Sequence, residues 1–192
     1  MSKKLAVTLF LCAGLLAVSR FGNATEQEKK PADKGEVEVP PLSPKAVANR
    51  EKLDQVFDKY TEKYAPKDSK TYCNVFATLA TEELGSKIPQ KLANHQQEWL
   101  LKEGKDEGWQ EVSAEEAQKL ANQGRIVVAS WKNPDPAKHG HIAVVRPYAD
   151  HAFSAEKGPR ITQFGARNKK DVYATETFGK KLVDTKFFAQ MK

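Results

Sequence analysis

Two side chains in this sequence are suited to act together as a nucleophile and its base: the thiol of Cys73 and the imidazole of His141. Cys73 sits in the stretch SKTYCNVF, residues 69–76. A helix beginning near Tyr72 puts the thiol in its first turn. There the unpaired main-chain N–H groups and the helix dipole favour negative charge, which lowers a thiol pKa and also suits an oxyanion formed on an attacked carbonyl. The competing reading is a small, buried, inert side chain, a common fate of free cysteine. His141 opens the run HIAVV, residues 141–145, and so stands at the end of a strand where it can serve a thiol as base. His139 lies two residues earlier, on the same face of an extended chain. It follows Lys138 in a polar, proline-bearing loop, which favours His141. A base needs an orienting partner, and Gln163 in ITQFGARN (residues 161–168) shares a strand face with Ile161, so its carbonyl can fix the imidazole tautomer. Asn168 is the alternative, placed beyond the strand. Trp131 and Tyr72 are candidate substrate contacts along the same cleft. Three or four metal ligands at recognised spacings are absent from the sequence, so neither a metal nor another cofactor is expected.

The elements that must position these groups follow from periodicity. Ser43-Pro44 reads as an N-cap followed by proline at the first helical position. Leu53, Val56, Phe57, Tyr60 and Tyr64 then repeat at spacings of three and four, and that helix is expected to stop before Pro66. A second helix is expected over residues 72–84 with Gly85 as its stop, and a third over 89–102. A fourth is announced by the capping box Ser113-Ala-Glu-Glu116 and closed by Gly124. The pattern then switches to short β-branched or aromatic runs: IVVASW (126–131), HIAVV (141–145) and RITQF (160–164). Residues 172–173 and 186–188 are expected as edge strands. Helices first and a small antiparallel sheet afterwards is an α+β arrangement.

Composition and the N-terminus bear on where such chemistry would take place. Lys3 and Lys4 precede an apolar run of residues 5–18 that Arg20 ends, and Gly22-Asn23-Ala24 supplies small residues for cleavage. This is the layout of a secretory signal peptide, residues 1–24, rather than of a membrane span, which needs about 20 apolar residues. Leu11 before Cys12, with apolar sequence continuing past it, argues against a lipid anchor. The expectation is an exported protein of the periplasm or extracellular space, monomeric and without membrane insertion once the leader is gone. Cleavage takes the formal charge from +6 to +3, a mild basic tilt that suits an anionic polymer and does not argue for nucleic acid. It also leaves Cys73 as the sole thiol, so no internal disulfide can form. Residues 25–42 (TEQEKKPADKGEVEVPPL) are charged and proline-bearing, and read as a disordered linker before a domain over 43–192.

The combination of Tyr72-Cys73-Asn74-Val75-Phe76, Gly140-His141-Ile142-Ala143-Val144-Val145 and Ile161-Thr162-Gln163 resembles the CHAP family, the cysteine- and histidine-dependent amidohydrolases and peptidases of the papain-like superfamily of bacterial cell-wall hydrolases. The resemblance extends loosely over residues 60–165, with GHIAVV its distinctive segment. It implies a papain-like fold and metal-free cleavage of a peptidoglycan amide, at the sugar–peptide link or within the stem peptide. By position it makes Cys73 the nucleophile, His141 the base and Gln163 the third member. Two positions depart from the family pattern: Gly124-Arg125 stands where Gly-Asp is frequent, and Gln163 where an acid or Asn is common. These departures motivate an alternative expectation, an inactive exported cell-wall-binding or inhibitor protein of the same fold.

Overall fold

A computed structural model describes residues 41–149 and 153–192. The expected signal peptide and nearly all of the expected linker lie outside the described residues. Ser43 caps the first helix, α1 (Pro44–Tyr60), its hydroxyl accepting the Ala46 N–H at 3.1 Å, with proline in the first turn. Helix α2 (Cys73–Glu83) ends at Leu84, and Gly85 follows with φ of 102°, a left-handed value that a glycine adopts without a Cβ penalty. Helix α3 (Ala93–Leu101) starts four residues later than its sequence pattern predicts. The Pro89 carbonyl is taken instead by the Lys91 N–H and the Gln96 amide. Helix α4 (Ala114–Asn122) begins where the capping box predicts, Ser113 accepting the Glu116 N–H at 3.1 Å.

Six strands form one antiparallel sheet: β1 (Trp109–Val112), β2 (Val127–Trp131), β3 (His141–Val145), β4 (Arg160–Gln163), β5 (Lys169–Tyr173) and β6 (Lys186–Gln190). Their spatial order is β1-β6-β2-β3-β4-β5. The fold is therefore α+β with an antiparallel sheet, and three features differ from the sequence reading. Strand β6 is not an edge: it pairs with β1 through Glu111↔Phe188 and with β2 through Val128↔Phe188, and Phe187, Phe188 and Ala189 are buried. Strand β1 was not expected at all, and Trp109 at its start is fully buried. Helices also cover both faces of the sheet. On one, α1–α3 contribute Leu53, Phe57, Phe76 and Leu100 to a core with Val128, Ile142, Val144 and Phe188. On the other, α4 and the short α5 (Thr175–Phe178) pack Ala117, Leu120 and Phe178 against Val127, Ala129, Ala143, Val145 and Ile161. This second layer explains why β2 reads as an unbroken run: all five of its residues are buried, so no alternation survives.

Opposite charges fasten α1 to the residue that follows β3 and continue into β4 and β5. Arg146, just after β3, donates to both carboxylate oxygens of Asp54 at 2.6 and 2.9 Å, while Arg160 donates to Asp171 at 2.7 Å through Nε. Burial alone would raise the Asp54 carboxyl, but the Arg146 guanidinium, with smaller help from Lys170 and Arg50, outweighs it and holds the pKa below the ordinary value.

Candidate functional site

Cys73 is the first residue of α2, and Tyr72 is its N-cap residue, with no side-chain cap of its own. The helix packs on the sheet face that carries Ile142, so the thiol lies at the floor of a pocket at the sheet end and is 5% exposed. Burial is the dominant influence on it and pushes the thiol pKa up. The main-chain N–H groups of Ile142, Asn74 and Cys73 point at the sulfur and pull the other way without cancelling the burial. The expected lowering of the thiol pKa is thus corrected: the helix-start N–H groups are present, but desolvation outweighs them.

His141 is the first residue of β3 and pairs across the ladder with Trp131 of β2. Alternation turns it to the face opposite Ile142, where its ring meets Phe178 of α5 edge-on, with centroids 5.2 Å apart. Its Nε2 is buried without a hydrogen-bond partner. Burial, with a smaller contribution from the Lys181 ammonium, pushes the imidazole down to about 4, so at neutral pH it is an uncharged base. No hydrogen bond links thiol and imidazole.

Gln163 ends β4 on the same face as Ile161, as strand alternation predicts. Its Nε2 donates to the Arg167 carbonyl at 2.8 Å, which anchors the amide and leaves Oε1 buried and unpartnered. Gly165 shows how close this oxygen comes to His141. A Cβ built on that glycine would collide with Gln163 Oε1 and stand 3.3 Å from His141 Cε1. The Gln163 amide oxygen and the Cε1 edge of the His141 ring therefore border the same glycine. Asn168 does different work: its Nδ2 donates to the Thr61 and Tyr64 carbonyls, at 3.1 and 3.2 Å, and ties the β4–β5 turn to the end of α1.

Two adjoining pockets contain these groups. One, of about 330 Å³, is lined by Cys73, Tyr72, Asn74, Leu92 and Ala93; the other, of about 500 Å³, by His141, Gln163, Trp131, Phe178 and Lys181. Ser69, Thr71, His139 and Gly140 line both and form the wall between them. His139 is thus an exposed wall residue rather than a strand residue. Trp131 is 7% exposed, with Lys181 Nζ 4.2 Å above its ring. The Tyr72 ring packs against Tyr64 at a tilt of 48°, with centroids 5.3 Å apart, and Tyr72 also lines the Cys73 pocket.

Two local devices shape this wall, and neither was drawn from the sequence. Asn94 of α3 donates to the Lys138 carbonyl and accepts the Asn133 N–H, each at 3.0 Å, which pins the β2–β3 loop at both ends of its polar stretch. Gly140 fits beneath that latch, where a Cβ would collide with Asn94 Oδ1 and the Trp131 carbonyl. Ahead of Cys73, Lys67 and Lys70 exchange main-chain hydrogen bonds across Asp68 and Ser69, whose φ values are 49° and 63°. Positive φ at both central residues defines a type I′ hairpin turn, for which Asp-Ser lacks the usual glycine. The signal for Asn94 was available only as one polar residue on a half-buried helix face, and for Lys181 there was none.

Among the described residues no group of three or more His, Cys, Asp or Glu could hold a metal ion, and no helix is long and apolar enough to cross a membrane. No protein-family model matches the chain, and no curated protein matches it either.

Proposed function

We propose that this chain is an exported cysteine hydrolase that cleaves an amide bond of peptidoglycan, with Cys73 as nucleophile, His141 as base and Gln163 as the residue that orients the base. The observation that carries the reading is the conjunction at one sheet end: a thiol at a helix start beneath main-chain N–H groups, and an uncharged imidazole with an unpartnered Nε2, whose ring borders Gly165 together with an unpartnered amide oxygen. Buried polar atoms left unpaired cost about 1–3 kcal/mol each, and three of the eight among the described residues, His141 Nε2, Gln163 Oε1 and Thr177 Oγ1, belong to residues that line one pocket, a concentration that supports use of this site. The peptidoglycan substrate rests on the CHAP resemblance.

In this reading the resting site holds a neutral thiol and a neutral imidazole. As Sγ attacks the amide carbonyl, the thiol proton passes to His141, across an intervening water or after rotation of one side chain. The N–H groups at the start of α2 stabilise the oxyanion. The protonated imidazole then gives its proton to the leaving amine, and water activated by the same base hydrolyses the thioester. Nε2 and Gln163 Oε1 are not hydrogen-bonded at rest; in this reading their pairing during the reaction holds the tautomer that leaves Nδ1 free as the base. Cys73→Ala should abolish release of muropeptides from purified cell walls while leaving the melting transition within a few degrees; retained release would overturn the assignment.

The burial of Cys73 and its raised pKa favour one second reading, an inactive binding or inhibitor protein of the same fold. Muropeptide release that Cys73→Ala abolishes supports the enzyme, and muropeptide binding without release by the unmodified protein supports the binder.

A further inference from the structure

The pocket beside His141 is lined by three cations, Arg167, Lys169 and Lys181, against one carboxylate, Glu176. None of the three is among the residues that form ion pairs within the described part of the chain, although lysines and arginines elsewhere find carboxylates repeatedly. Glu176 forms no ion pair with them: its Oε1 accepts the Tyr173 N–H at 3.1 Å, and Lys169 Nζ turns to the Glu176 main-chain carbonyl, at 2.8 Å. Lys181 is held over Trp131 at 4.2 Å, which fixes an ammonium at the pocket wall instead of leaving it to sweep through solvent. Arg167 lines the same pocket from the β4–β5 turn, where its main-chain carbonyl accepts from Gln163. A concave site of about 500 Å³ with three cations against one carboxylate selects an anionic group.

We infer that the His141 side of the cleft is a carboxylate-binding subsite, in which Lys181 and Arg167 hold a free carboxylate of a peptide substrate next to the bond that Cys73 attacks. The inference rests on the proposed hydrolase reading for the scissile bond, but not for the binding itself. It names the substrate class as peptides carrying a free carboxylate within a residue or two of the cleaved amide. Apolar or amidated peptides of the same length are excluded. Lys180, next in the chain to Lys181 but outside the pocket lining, has no part in it.

The test separates binding from turnover. Soluble muropeptides are prepared from purified peptidoglycan in two forms, untreated and with their carboxylates converted to amides, and their affinity for the full-length Cys73→Ala protein is measured by calorimetry. The untreated form is expected to bind about tenfold more tightly, with the advantage shrinking as salt is raised. Adding Lys181→Glu and Arg167→Glu together should erase the preference, whereas Lys180→Glu should keep it. The single neutral variants Lys181→Met and Arg167→Met, each expected to lose part of the preference, serve if the double reversal does not fold. Equal affinity for both forms, no binding of either, or an undiminished preference in the charge-reversed protein would overturn the inference. Muropeptide release by the unmodified protein is followed in parallel. Selective binding without turnover defeats the hydrolase reading alone, and turnover that ignores amidation defeats the subsite alone.

Discussion

Consider lowering the pH from 7 to 5 on the unmodified protein and on His141→Gln, a neutral side chain of similar reach. In the folded chain the imidazole is pushed from 6.5 down to about 4, chiefly by burial. The unfolded chain therefore takes up a proton near pH 6.5 that the folded chain refuses until about pH 4. Stability from this group is complete above pH 6.5 and is lost progressively as the pH falls through that window. At pH 5 the unfolded histidine is almost wholly protonated and the folded one almost wholly neutral, a difference of about 2 kcal/mol. At about 2–4 °C per kcal/mol for a domain of this size, the unmodified protein should lose roughly 4–8 °C more than His141→Gln between pH 7 and pH 5. Urea melts at pH 7, 6 and 5 give the same quantity as a free energy. Parallel pH dependence in the two proteins would mean that the imidazole is not desolvated. The argument for an uncharged base at the sheet end would then fail with it.

Other expectations concern the supports of the site. Gly165→Ala places a methyl group against Gln163 Oε1 and should cut turnover about a hundredfold with a much smaller effect on the melting point; unchanged kcat would show that Gln163 does not orient the base. Asn94→Ala removes both hydrogen bonds that pin the β2–β3 loop and should cost about 1–2 kcal/mol in urea melts, with raised exchange of the loop amides. Asp54→Ala leaves the buried Arg146 guanidinium with the longer 3.7 Å contact to Asp171 and should cost about 2–3 kcal/mol, below the value for a sealed pair because that partner remains and the Asp54 side chain is 31% exposed. Ser69→Gly should stabilise the chain by about 1 kcal/mol, since φ of 63° favours glycine; a destabilised variant would assign the Ser69 side chain a role in the cleft wall.

Much of the scaffold was legible because local signals coincide with local structure. Ser43-Pro44 and Ser113 through Glu116 mark helix starts by side-chain caps that need nothing from distant residues. The strand alternation that puts Gln163 beside Ile161, and the helix start at Cys73, are equally local. What escaped depends on partners far along the chain. Phe187 and Phe188 look like a short apolar tail until β1 and β2 are both present to flank them. Trp109-Gln-Glu-Val112 shows little β character by itself and becomes a strand only through β6. The thiol pKa is a matter of burial, and burial belongs to the assembled core: a helix start alone gives the sign that the finished packing reverses. Lys181 reaches the cleft from the turn after α5, which no spacing rule connects to Cys73.

The placement of β6 has a consequence for how the chain acquires its shape. Residues 186–190 are the last strand in the sequence yet sit between β1 and β2, in ladders that join Trp109↔Gln190 and Val127↔Ala189. A nascent or truncated chain that stops before them has no continuous sheet, only β1 stranded apart from a four-strand remainder with its inner edge bare. Closure of such distant pairings is slow, because the intervening loop loses its freedom before any contact rewards it. The chain should therefore fold late and all at once, and the sheet end that carries His141 should gain its final rigidity only when the last strand slides into the gap.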